Sequence, residues 1–292
     1  MFSTALPKGA DVLKATLRKN LPRDVMWRLA RVRLAYAGAD APNANFGDQL
    51  SPLLVSQLFG LTIKHSGINA ADLVAVGSLL EGVEDLAQER PFIWGSGFIR
   101  PGQDWRGGPV RVRAVRGMLS YERLSSQVRG PVALGDPGLL VDRALRGGVS
   151  RSTSSSVVGL IPHFTELDSA RVMTLRQAHG VEVISPLAPV ETVVSRIAAC
   201  RLVMSSSLHG LIVADSLGVP NAWMEPSESV DGGRYKFDDY YSAFGVRREP
   251  RDPNAILADV DRAVAEWSPL PRIESIKDGL VRAFPLVLRR KS

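Results

Sequence analysis

Short apolar runs along the chain alternate with longer amphipathic segments, and this pattern predicts strands and helices in turn. A first series occupies the first half, and a second begins near residue 157. The predicted strands are residues 61–63, 73–76, 92–94, 110–115 and 131–134, followed by 157–161, 181–184, 202–204 and 221–224. Strands separated by helices are typical of parallel, doubly wound sheets. The pattern therefore predicts an α/β protein.

Helices are predicted where apolar residues recur at spacings of three and four. They cover residues 8–36, 49–59, 119–128, 169–179, 190–199, 209–217, 253–267 and 276–288. Asp48 is placed to cap the helix over residues 49–59. Residues 229–245 combine glycines with charged and aromatic side chains. We interpret them as a loop, either one that brings cations and aromatics to a site or an ordinary solvated one.

A polar segment rich in glycine and serine, residues 143–156, separates the two series of elements. Such a composition is typical of a linker. The chain has 292 residues, which is long enough for two domains of ordinary size. We predict an N-terminal domain over residues 1–145, a C-terminal domain over 156–270, and a final helix with a basic tail over 271–292.

Residues 205–215 join a predicted strand to a predicted helix. Three serines end the apolar run, and His209 and Gly210 begin a segment of small residues. A helix N-terminus offers unpaired backbone N–H groups and a partial positive charge, which suit an anion. An imidazole there can also move a proton. The stretch is thus either an anion site with a proton-transferring His209, or a serine N-cap beside a histidine that only packs.

Other polar residues directly follow predicted strands. Arg116 comes after residues 110–115, with Ser120 in the helix beyond it, and His163 follows residues 157–161. The carboxyl ends of parallel strands border the crevice where open α/β sheets bind ligands. Arg116 can therefore hold phosphate or carboxylate in a bidentate way, or form a surface ion pair. His163 is either a site residue or a structural one.

Composition narrows the class of protein without selecting a partner. The chain has 36 Lys and Arg against 30 Asp and Glu, a formal charge of +6 and a pI near 9.7. This excess fits acidic substrates, an anionic membrane face or nucleic acid. Because the basic residues are spread out and not interleaved with aromatics, we expect no nucleic-acid partner. Cys200 is the only cysteine, which excludes an intramolecular disulfide and a metal site built from several thiolates.

The sequence predicts a cytoplasmic location. No segment approaches the roughly 18 consecutive apolar residues of a membrane span, and charged residues interrupt the N-terminal region where a signal core would lie. The basic amphipathic segment over residues 8–36 leaves two interpretations open. It is either a helix on the anionic face of the inner membrane, which would make the protein peripheral, or a first helix packed on its own domain.

Six short motifs, taken in order, resemble the polysaccharide pyruvyl transferase family. They are Asn45-Phe46-Gly47-Asp48, Gly95-Ser96-Gly97, Val115-Arg116-Gly117 with Ser120, Gly135-Asp136-Pro137, Ile161-Pro162-His163, and the segment 205–210 with Ala214-Asp215. The similarity spans residues 43–245. Within the family, the chain resembles the ketal pyruvate transferases of xanthan and succinoglycan biosynthesis. Each motif alone is weak, and their shared order makes the signal specific.

This resemblance implies a fold, a reaction and a site. It implies two Rossmann-like domains facing a cleft, similar to the GT-B arrangement, with the acceptor on the N-terminal side and the donor on the C-terminal side. Pyruvate would pass from phosphoenolpyruvate to two hydroxyls of one sugar in an exopolysaccharide or cell-surface glycan precursor, lipid-linked or free. A ketal would form and phosphate would be released, with no cofactor and no metal.

The resemblance also assigns residues to the site. His209 would be catalytic, while Arg116 and the backbone at Leu208 and His209 would hold the anionic groups of the donor. The full set of expected substrate-binding residues is Asn45, Gly47, Asp48, Gly97, Arg116, Ser120, His163, Ser206, Ser207, Leu208 and Lys236.

One position departs from the family pattern. Many members carry Arg before the Leu-His pair, where this chain has Ser207. Lys236 or Arg234, from the segment 229–245, would have to supply the missing cation. Two other functions stay open: a GT-B-type glycosyltransferase with a nucleotide-sugar donor, and a glycan-binding relative without catalytic activity.

Overall fold

Two parallel β-sheets organise the part of the chain that the computed structural model describes, namely residues 31–38, 44–84, 91–107, 110–145, 149, 151–152, 155–228 and 230–290. The first sheet has six strands in the order β2-β1-β3-β4-β5-β6. These are β1 (Arg31–Ala35), β2 (Thr62–His65), β3 (Leu73–Val74), β4 (Phe92–Trp94), β5 (Arg111–Val115) and β6 (Ala133–Leu134). All of their pairings are parallel.

The second sheet has four parallel strands in the order β10-β9-β7-β8. They are β7 (Val158–Ile161), β8 (Val181–Val183), β9 (Leu202–Ser205) and β10 (Asn221–Trp223). Every residue of β7, β9 and β10 is buried, as expected for strands covered on both faces. The α/β class and the two parallel sheets predicted from the periodicity are therefore present.

Helices form most of the crossover connections that parallel pairing of successive strands requires. They are α1 (Phe46–Phe59), α2 (Leu80–Glu84), α3 (Met118–Leu124), α4 (Val141–Ala144), α5 (Ala170–Leu175), α6 (Val190–Ala198), α7 (Leu208–Leu217), α8 (Tyr235–Ser242), α9 (Pro253–Ala258), α10 (Val260–Ala265) and α11 (Ile273–Ala283). Short 3₁₀ helices cover Ile68–Ala70, Ser125–Gln127, Pro137–Leu140, Phe164–Glu166 and Leu286–Arg290. Within the described ranges, none of the helices combines the length and apolar character needed to cross a membrane.

The core joins the two sheets. Alternate residues of β1, such as Val32 and Leu34, belong to a large apolar cluster that also includes Ile161 and Val203 of the second sheet. A smaller cluster lies on the other face of the first sheet, and another covers the second sheet beside β7 and β9. Helix α11 packs back on the first sheet, where Trp94 Nε1 donates to the carbonyl of Leu280 at 2.8 Å.

Strand order locates a switch point in each sheet. The connections after β1 and after β3 leave in opposite directions, and so do those after β7 and after β9. Open α/β sheets bind ligands at the carboxyl ends of such strands. The N-terminus of α1 follows β1, and the N-terminus of α7 follows β9. The ring of His209 on α7 lies against Gly47 on α1, so the two switch points meet.

The predicted helix over residues 8–36 is wrong for its last part. Residues 31–35 form β1, which lies between β2 and β3, and this strand raises the first sheet from the five predicted strands to six. Val32 and Leu34 are buried and Arg33 is exposed, which is the two-residue period of a strand. Residues 8–30, with the rest of that prediction, lie outside the described residues.

The interpretation of residues 229–245 as a loop is also wrong, because α8 occupies Tyr235–Ser242. Phe237, Tyr240 and Tyr241 recur at helical spacing and are buried, so tertiary packing stabilises a helix with charged residues between them. This helix carries Lys236 into the interior. Residue 229 lies outside the described part of the chain.

Several predicted helix boundaries shift. The cap of α1 is Asn45, whose side chain accepts from Gly47 N, so Asp48 lies in the first turn and is not the cap. The predicted helix over 253–267 breaks at Asp259, whose side chain caps α10 by accepting from Arg262 N at 2.9 Å. The last helix begins earlier than predicted, at Ile273, and ends at Ala283. The domain boundaries at 145, 156 and 270 stay predictions.

Candidate active site

His209 lies in the first turn of α7, directly after the buried strand β9. Ser207 N donates to Ser205 Oγ at 3.0 Å, and the extended Ser207 begins the helix without a side-chain cap. A Cβ at Gly210 would overlap Ser205 Oγ and lie 3.1 Å from Ile161, so glycine lets α7 dock closely on β7 and β9. The N-terminus of α7, with its unpaired backbone N–H groups, therefore lies at the carboxyl ends of these strands.

The imidazole of His209 is enclosed by elements of both sheets. Its side chain is 11% exposed, and Nε2 is buried without a hydrogen-bond partner. Phe46 approaches the ring edge-on at 6.5 Å, and a Cβ at Gly47 would overlap Nδ1. The predicted residues Gly47 and His209 thus touch, and any larger residue at position 47 would displace the imidazole.

Asp136 faces the same imidazole from the first sheet. It follows β6 and is fully buried, with Oδ1 accepting from Gly138 N at 2.8 Å as the cap of a 3₁₀ helix. Its Oδ2 has no hydrogen-bond partner and lies 4.0 Å from His209 Nε2. Burial raises the pKa of Asp136 to about 6, against the Gly138 hydrogen bond and the charge of Arg116, which lower it.

Arg116, predicted to hold the donor, is fully buried in a network of protein contacts. Its Nε donates to Asp239 Oδ2 at 2.9 Å, Nη1 to Ser78 Oγ at 2.6 Å and Nη2 to the carbonyl of Phe98 at 2.5 Å. Gly97 packs against the guanidinium, and Ser120 Oγ donates to Asp239 Oδ2 at 2.7 Å. Arg116 and Ser120 therefore lie behind the site surface, where Arg116 still adds its positive charge.

Lys236, at the start of α8, is the second cation of the site. Its side chain is buried, and Nζ lies 3.4 Å from the carbonyl of Asp231, beyond the usual length of a hydrogen bond. Burial and the charge of Arg116 lower the pKa of Lys236 to about 8, so it stays mostly charged at pH 7. Across the site, burial raises the pKa of Asp48 to about 6, although Lys236 acts to lower it.

His163 and Ser206 meet where β7 and β9 end. His163 N donates to Ser206 Oγ at 3.0 Å, and His163 Nδ1 lies 2.8 Å from Thr165 Oγ1. Ser206 Oγ in turn donates to Glu166 Oε2 at 2.5 Å. Burial and Lys236 lower the pKa of His163 to about 4, so this imidazole is neutral at pH 7.

The pKa of His209 is lowered to about 3, first by burial and then by Arg116, Lys236 and His163. The imidazole is therefore neutral at pH 7 and can accept a proton. Around it lie two cations and a helix N-terminus, which together attract anions. Such a combination of perturbed titratable groups at strand ends is typical of a catalytic centre.

Most of the predicted residues converge at this junction of the two sheets. Gly47 contacts the His209 ring, Asp48 and His163 share the electrostatic field of Lys236, and Ser206 bonds to His163. The side chain of Asn45 caps α1, while Ser207 and Leu208 are buried at the start of α7. Arg116, Gly97 and Ser120 form the layer behind. Whether each contacts substrate stays a prediction.

Sequence reasoning left the roles of Asp136, Glu166 and Asp239 unassigned. Asp136 stood in the Gly-Asp-Pro motif at a strand end, which was a usable signal. Glu166 buries its carboxylate against Ser206 and Ser227, three residues after a strand-end histidine. Asp239 had no such signal, because the loop prediction hid the helix that carries it.

Among the described residues, no group of three or more His, Cys, Asp or Glu is arranged to hold a metal ion.

Comparisons with known proteins agree with the motif order. The family model described as polysaccharide pyruvyl transferase matches residues 10–228. The succinoglycan biosynthesis protein ExoV of Rhizobium meliloti (strain 1021) is 26% identical over an alignment of 283 positions, and the match covers 84% of this chain and 84% of that protein. The uncharacterized protein L143 of Acanthamoeba polyphaga mimivirus is 28% identical over an alignment of 149 positions, and the match covers 49% of this chain. This match spans 50% of the mimivirus protein.

Proposed function

Because the chain belongs to the polysaccharide pyruvyl transferase family, we propose that it transfers pyruvate from phosphoenolpyruvate to two hydroxyls of one sugar. The acceptor is an exopolysaccharide or cell-surface glycan precursor, the product is a cyclic ketal, and phosphate is released. One observation carries the proposal: a neutral, buried His209 stands at a helix N-terminus within the field of Arg116 and Lys236.

The cationic surroundings of His209 suit a donor with two anionic groups. The N-terminus of α7 offers backbone N–H groups and a partial positive charge to a phosphate or carboxylate. Lys236 supplies a buried ammonium that is held only by a long contact, 3.4 Å, to the carbonyl of Asp231 among the described hydrogen bonds. Lys236 therefore binds the anionic groups of the donor in place of the arginine that many family members carry at the position of Ser207. Arg116 contributes through its charge, since its donors already contact Asp239, Ser78 and Phe98.

Donor binding prepares His209 for proton transfer. In the free protein two cations help to hold its pKa near 3. The phosphate and carboxylate of phosphoenolpyruvate would offset the charges of Arg116 and Lys236 and raise the pKa of His209 toward its ordinary value. The imidazole can then carry the proton that the reaction needs at the donor. General acid–base catalysis of this kind contributes roughly 10²–10⁴-fold.

The proposed reaction begins with protonation of the donor. Transfer of a proton from His209 to the methylene carbon forms the methyl group and leaves the central carbon cationic. One sugar hydroxyl attacks this carbon and loses its proton, the C–O bond to phosphate breaks, and the second hydroxyl attacks and loses its proton. One of the two released protons restores His209, and the other leaves with the phosphate. The α7 N-terminus and the two cations stabilise the departing phosphate.

We propose a GT-B-like arrangement, in which the donor binds beside α7 and the acceptor enters from the first sheet. Asn45 and Asp48 at the N-terminus of α1, and His163 after β7, would then border the two substrates. The acceptor is lipid-linked or free, and a lipid-linked acceptor would bring the protein to the cytoplasmic membrane face.

The test is a product assay with purified protein, phosphoenolpyruvate, and both lipid-linked and lipid-free glycan acceptors. We expect phosphate release together with the mass increment of a carboxyethylidene group on the sugar. His209→Ala should lower kcat by at least about 10²-fold, the lower end of the effect of losing an acid–base catalyst. His179→Ala is the matched control, because His179 is exposed and lies outside the site.

Three results would contradict the proposal. Transfer of a sugar from a nucleotide-sugar donor would identify a glycosyltransferase, and glycan binding without phosphate release would identify a non-catalytic relative. A folded His209→Ala protein with full activity would remove His209 from the mechanism. Circular dichroism of both variants checks that the fold is retained.

A further inference from the structure

Two buried polar atoms face each other across the junction of the sheets. Nε2 of His209 and Oδ2 of Asp136 are both buried, and neither has a hydrogen-bond partner. They lie 4.0 Å apart. Buried polar atoms are nearly always paired, so two unpaired ones at this distance call for an explanation. The two atoms are complementary, because a carboxylate oxygen accepts a hydrogen bond and an imidazole N–H donates one.

Neither side chain is free to turn toward another partner. Asp136 is held by its other oxygen, since Oδ1 accepts from Gly138 N at 2.8 Å. His209 is held on its far side by Gly47, against which the imidazole packs, and by the ring of Phe46. A small movement of α7 toward β6 would close the gap to a hydrogen bond. Catalytic hydrogen bonds are often long in proteins without substrate and tighten when substrate binds.

This geometry distinguishes the two nitrogens of the imidazole. The carboxylate can only accept a hydrogen bond, so it favours the tautomer with the proton on Nε2. Nε2 is buried, so the 11% of the side chain that stays accessible belongs to other atoms. Nδ1 lies on the side of the N-terminus of α1, where Asn45 and Asp48 are found.

We propose that Asp136 is a positioning residue that keeps the proton of neutral His209 on Nε2 and thereby makes Nδ1 the nitrogen that exchanges protons with the substrates. The inference rests on the proposed pyruvyl transfer for its kinetic consequence. Its structural part, the tautomer of His209, concerns the protein alone. Gly47 then has a function as well, because any side chain at that position would cover Nδ1.

The experiment combines ¹⁵N-histidine NMR with kinetics. The ¹⁵N chemical shifts of an imidazole separate protonated from unprotonated nitrogens, and a His209→Gln protein assigns the His209 signals among the four histidines of the chain. At pH 7 we expect the proton on Nε2 in the wild-type protein. In Asp136→Asn, the amide oxygen can still accept from Gly138 N, which turns the amide N–H toward Nε2. The proton should therefore move to Nδ1.

The kinetic consequence is a loss of kcat with little change in KM. A wrong tautomer blocks proton transfer without removing the donor contacts, so kcat of Asp136→Asn should fall about 10²–10⁴-fold. The KM for phosphoenolpyruvate should change less than kcat does. Asp215→Asn is the control, because Asp215 is also a buried aspartate and lies on the same helix as His209. It bonds to Asn221 and Tyr240 and should leave the tautomer unchanged.

Two outcomes would overturn the inference. One is a proton on Nδ1 in the wild-type protein, which is decisive even if Asp136→Asn does not fold. The other is a folded Asp136→Asn protein that keeps both the Nε2 proton and the wild-type kcat. If the wild-type protein has the expected tautomer but transfers no pyruvate, the tautomer assignment stands and the proposed function fails.

Discussion

At the scale of single residues, the chemistry of His209 depends on what surrounds it. The imidazole is desolvated by burial at the junction of the two sheets and lies in the electrostatic field of Arg116 and Lys236. Both effects oppose protonation, so they act in the same direction and bring its pKa from 6.5 to about 3. A lysine and a histidine in the same field, Lys236 and His163, shift downward for the same reasons.

The lowered pKa of His209 predicts a pH dependence of stability. Because the folded-state value lies below the unfolded one, its contribution is fully present above pH 6.5 and is lost as the pH falls toward 3. Between pH 7 and pH 5, the unfolded state gains about 2 kcal/mol from protonating this residue. Between these two pH values, the free energy of unfolding of His209→Gln should therefore fall by about 2 kcal/mol less than that of the wild-type protein.

Urea unfolding at pH 7 and at pH 5 measures this difference. The buried carboxyls of Asp48, Asp136 and Asp215, whose raised pKa values act in the opposite direction, are present in both proteins. His179→Gln, at an exposed position, should behave as the wild-type protein does. An equal loss of stability in wild type and His209→Gln would mean that the imidazole is not held neutral.

At the scale of elements, helix α3 begins without a cap of its own, and α8 supplies one. Gly117 precedes α3 and has no side chain to accept from the first N–H groups. Asp239 Oδ1 accepts from Ser120 N at 2.8 Å, and Ser242 Oγ accepts from Met118 N at 2.7 Å. This docking places the first turn of α8, and therefore Lys236, beside the site.

The close approach of α8 to Gly117 predicts the effect of adding one methyl group. A Cβ at Gly117 would overlap the backbone carbonyl of Asp239, which cannot move as a flexible side chain could. Gly117→Ala should destabilise the protein by about 3 kcal/mol, the upper end of typical overpacking costs. It should also raise the KM for phosphoenolpyruvate, because α8 carries Lys236.

Gly279→Ala is the matched control for this prediction. Gly279 lies inside α11, and a Cβ there would meet only Ala133, at 3.9 Å. Alanine should stabilise this helix by about 0.5–1 kcal/mol through its better helix propensity. The denaturant midpoints of the two variants test these opposite changes in stability. Equal midpoints would show that α8 does not dock on Gly117 as described.

At the scale of the whole molecule, a buried ion pair joins elements that are far apart in the chain. Arg116 directly follows β5 of the first sheet, and Asp239 lies on α8, which follows the second sheet. Their side chains are fully buried and 2.9 Å apart. Removing one partner of such a pair leaves an uncompensated buried charge, whereas removing both charges is far less costly.

The pair therefore predicts a compensating double substitution. Arg116→Met should destabilise the protein by about 3–5 kcal/mol, because the Asp239 carboxylate stays buried without its partner. Adding Asp239→Asn should restore about 1–3 kcal/mol, since the amide oxygen can still accept from Ser120 N without a charge. Arg262→Met breaks an exposed pair with Glu266 and should leave the urea midpoint nearly unchanged. A double variant less stable than Arg116→Met alone would contradict this account.

Much of the fold could be predicted from the periodicity of apolar residues, and the predictions that were wrong failed for physical reasons. Val32 and Leu34 alternate with arginines at the end of a basic amphipathic segment, so a two-residue period was hidden within an apparent helical one. Residues 229–245 carry glycines and charges, and their helix depends on burying Phe237, Tyr240 and Tyr241 against the rest of the protein. Local pattern is a weak guide where tertiary contacts supply most of the stabilisation.

The candidate site was predictable in part. Arg116, His163 and His209 follow strands that the periodicity identifies, and the carboxyl ends of parallel strands share one edge of a sheet. The partners of these residues were not predictable in the same way. Asp239 lies 123 positions from Arg116, and nothing near either residue in the chain indicates that they meet.

The sequence by itself determined the alternation of strands and helices, the polar residues at the strand ends and the ordered motifs of the family. These are local properties, set by the periods of the two backbone conformations and by the few residue types that fit a given turn. Only the tertiary structure decided that Asp136 faces His209, that Arg116 is buried beneath the site, and that the imidazole is neutral. Burial and electrostatic interaction depend on distance in space, and folding brings these residues together from opposite halves of the chain.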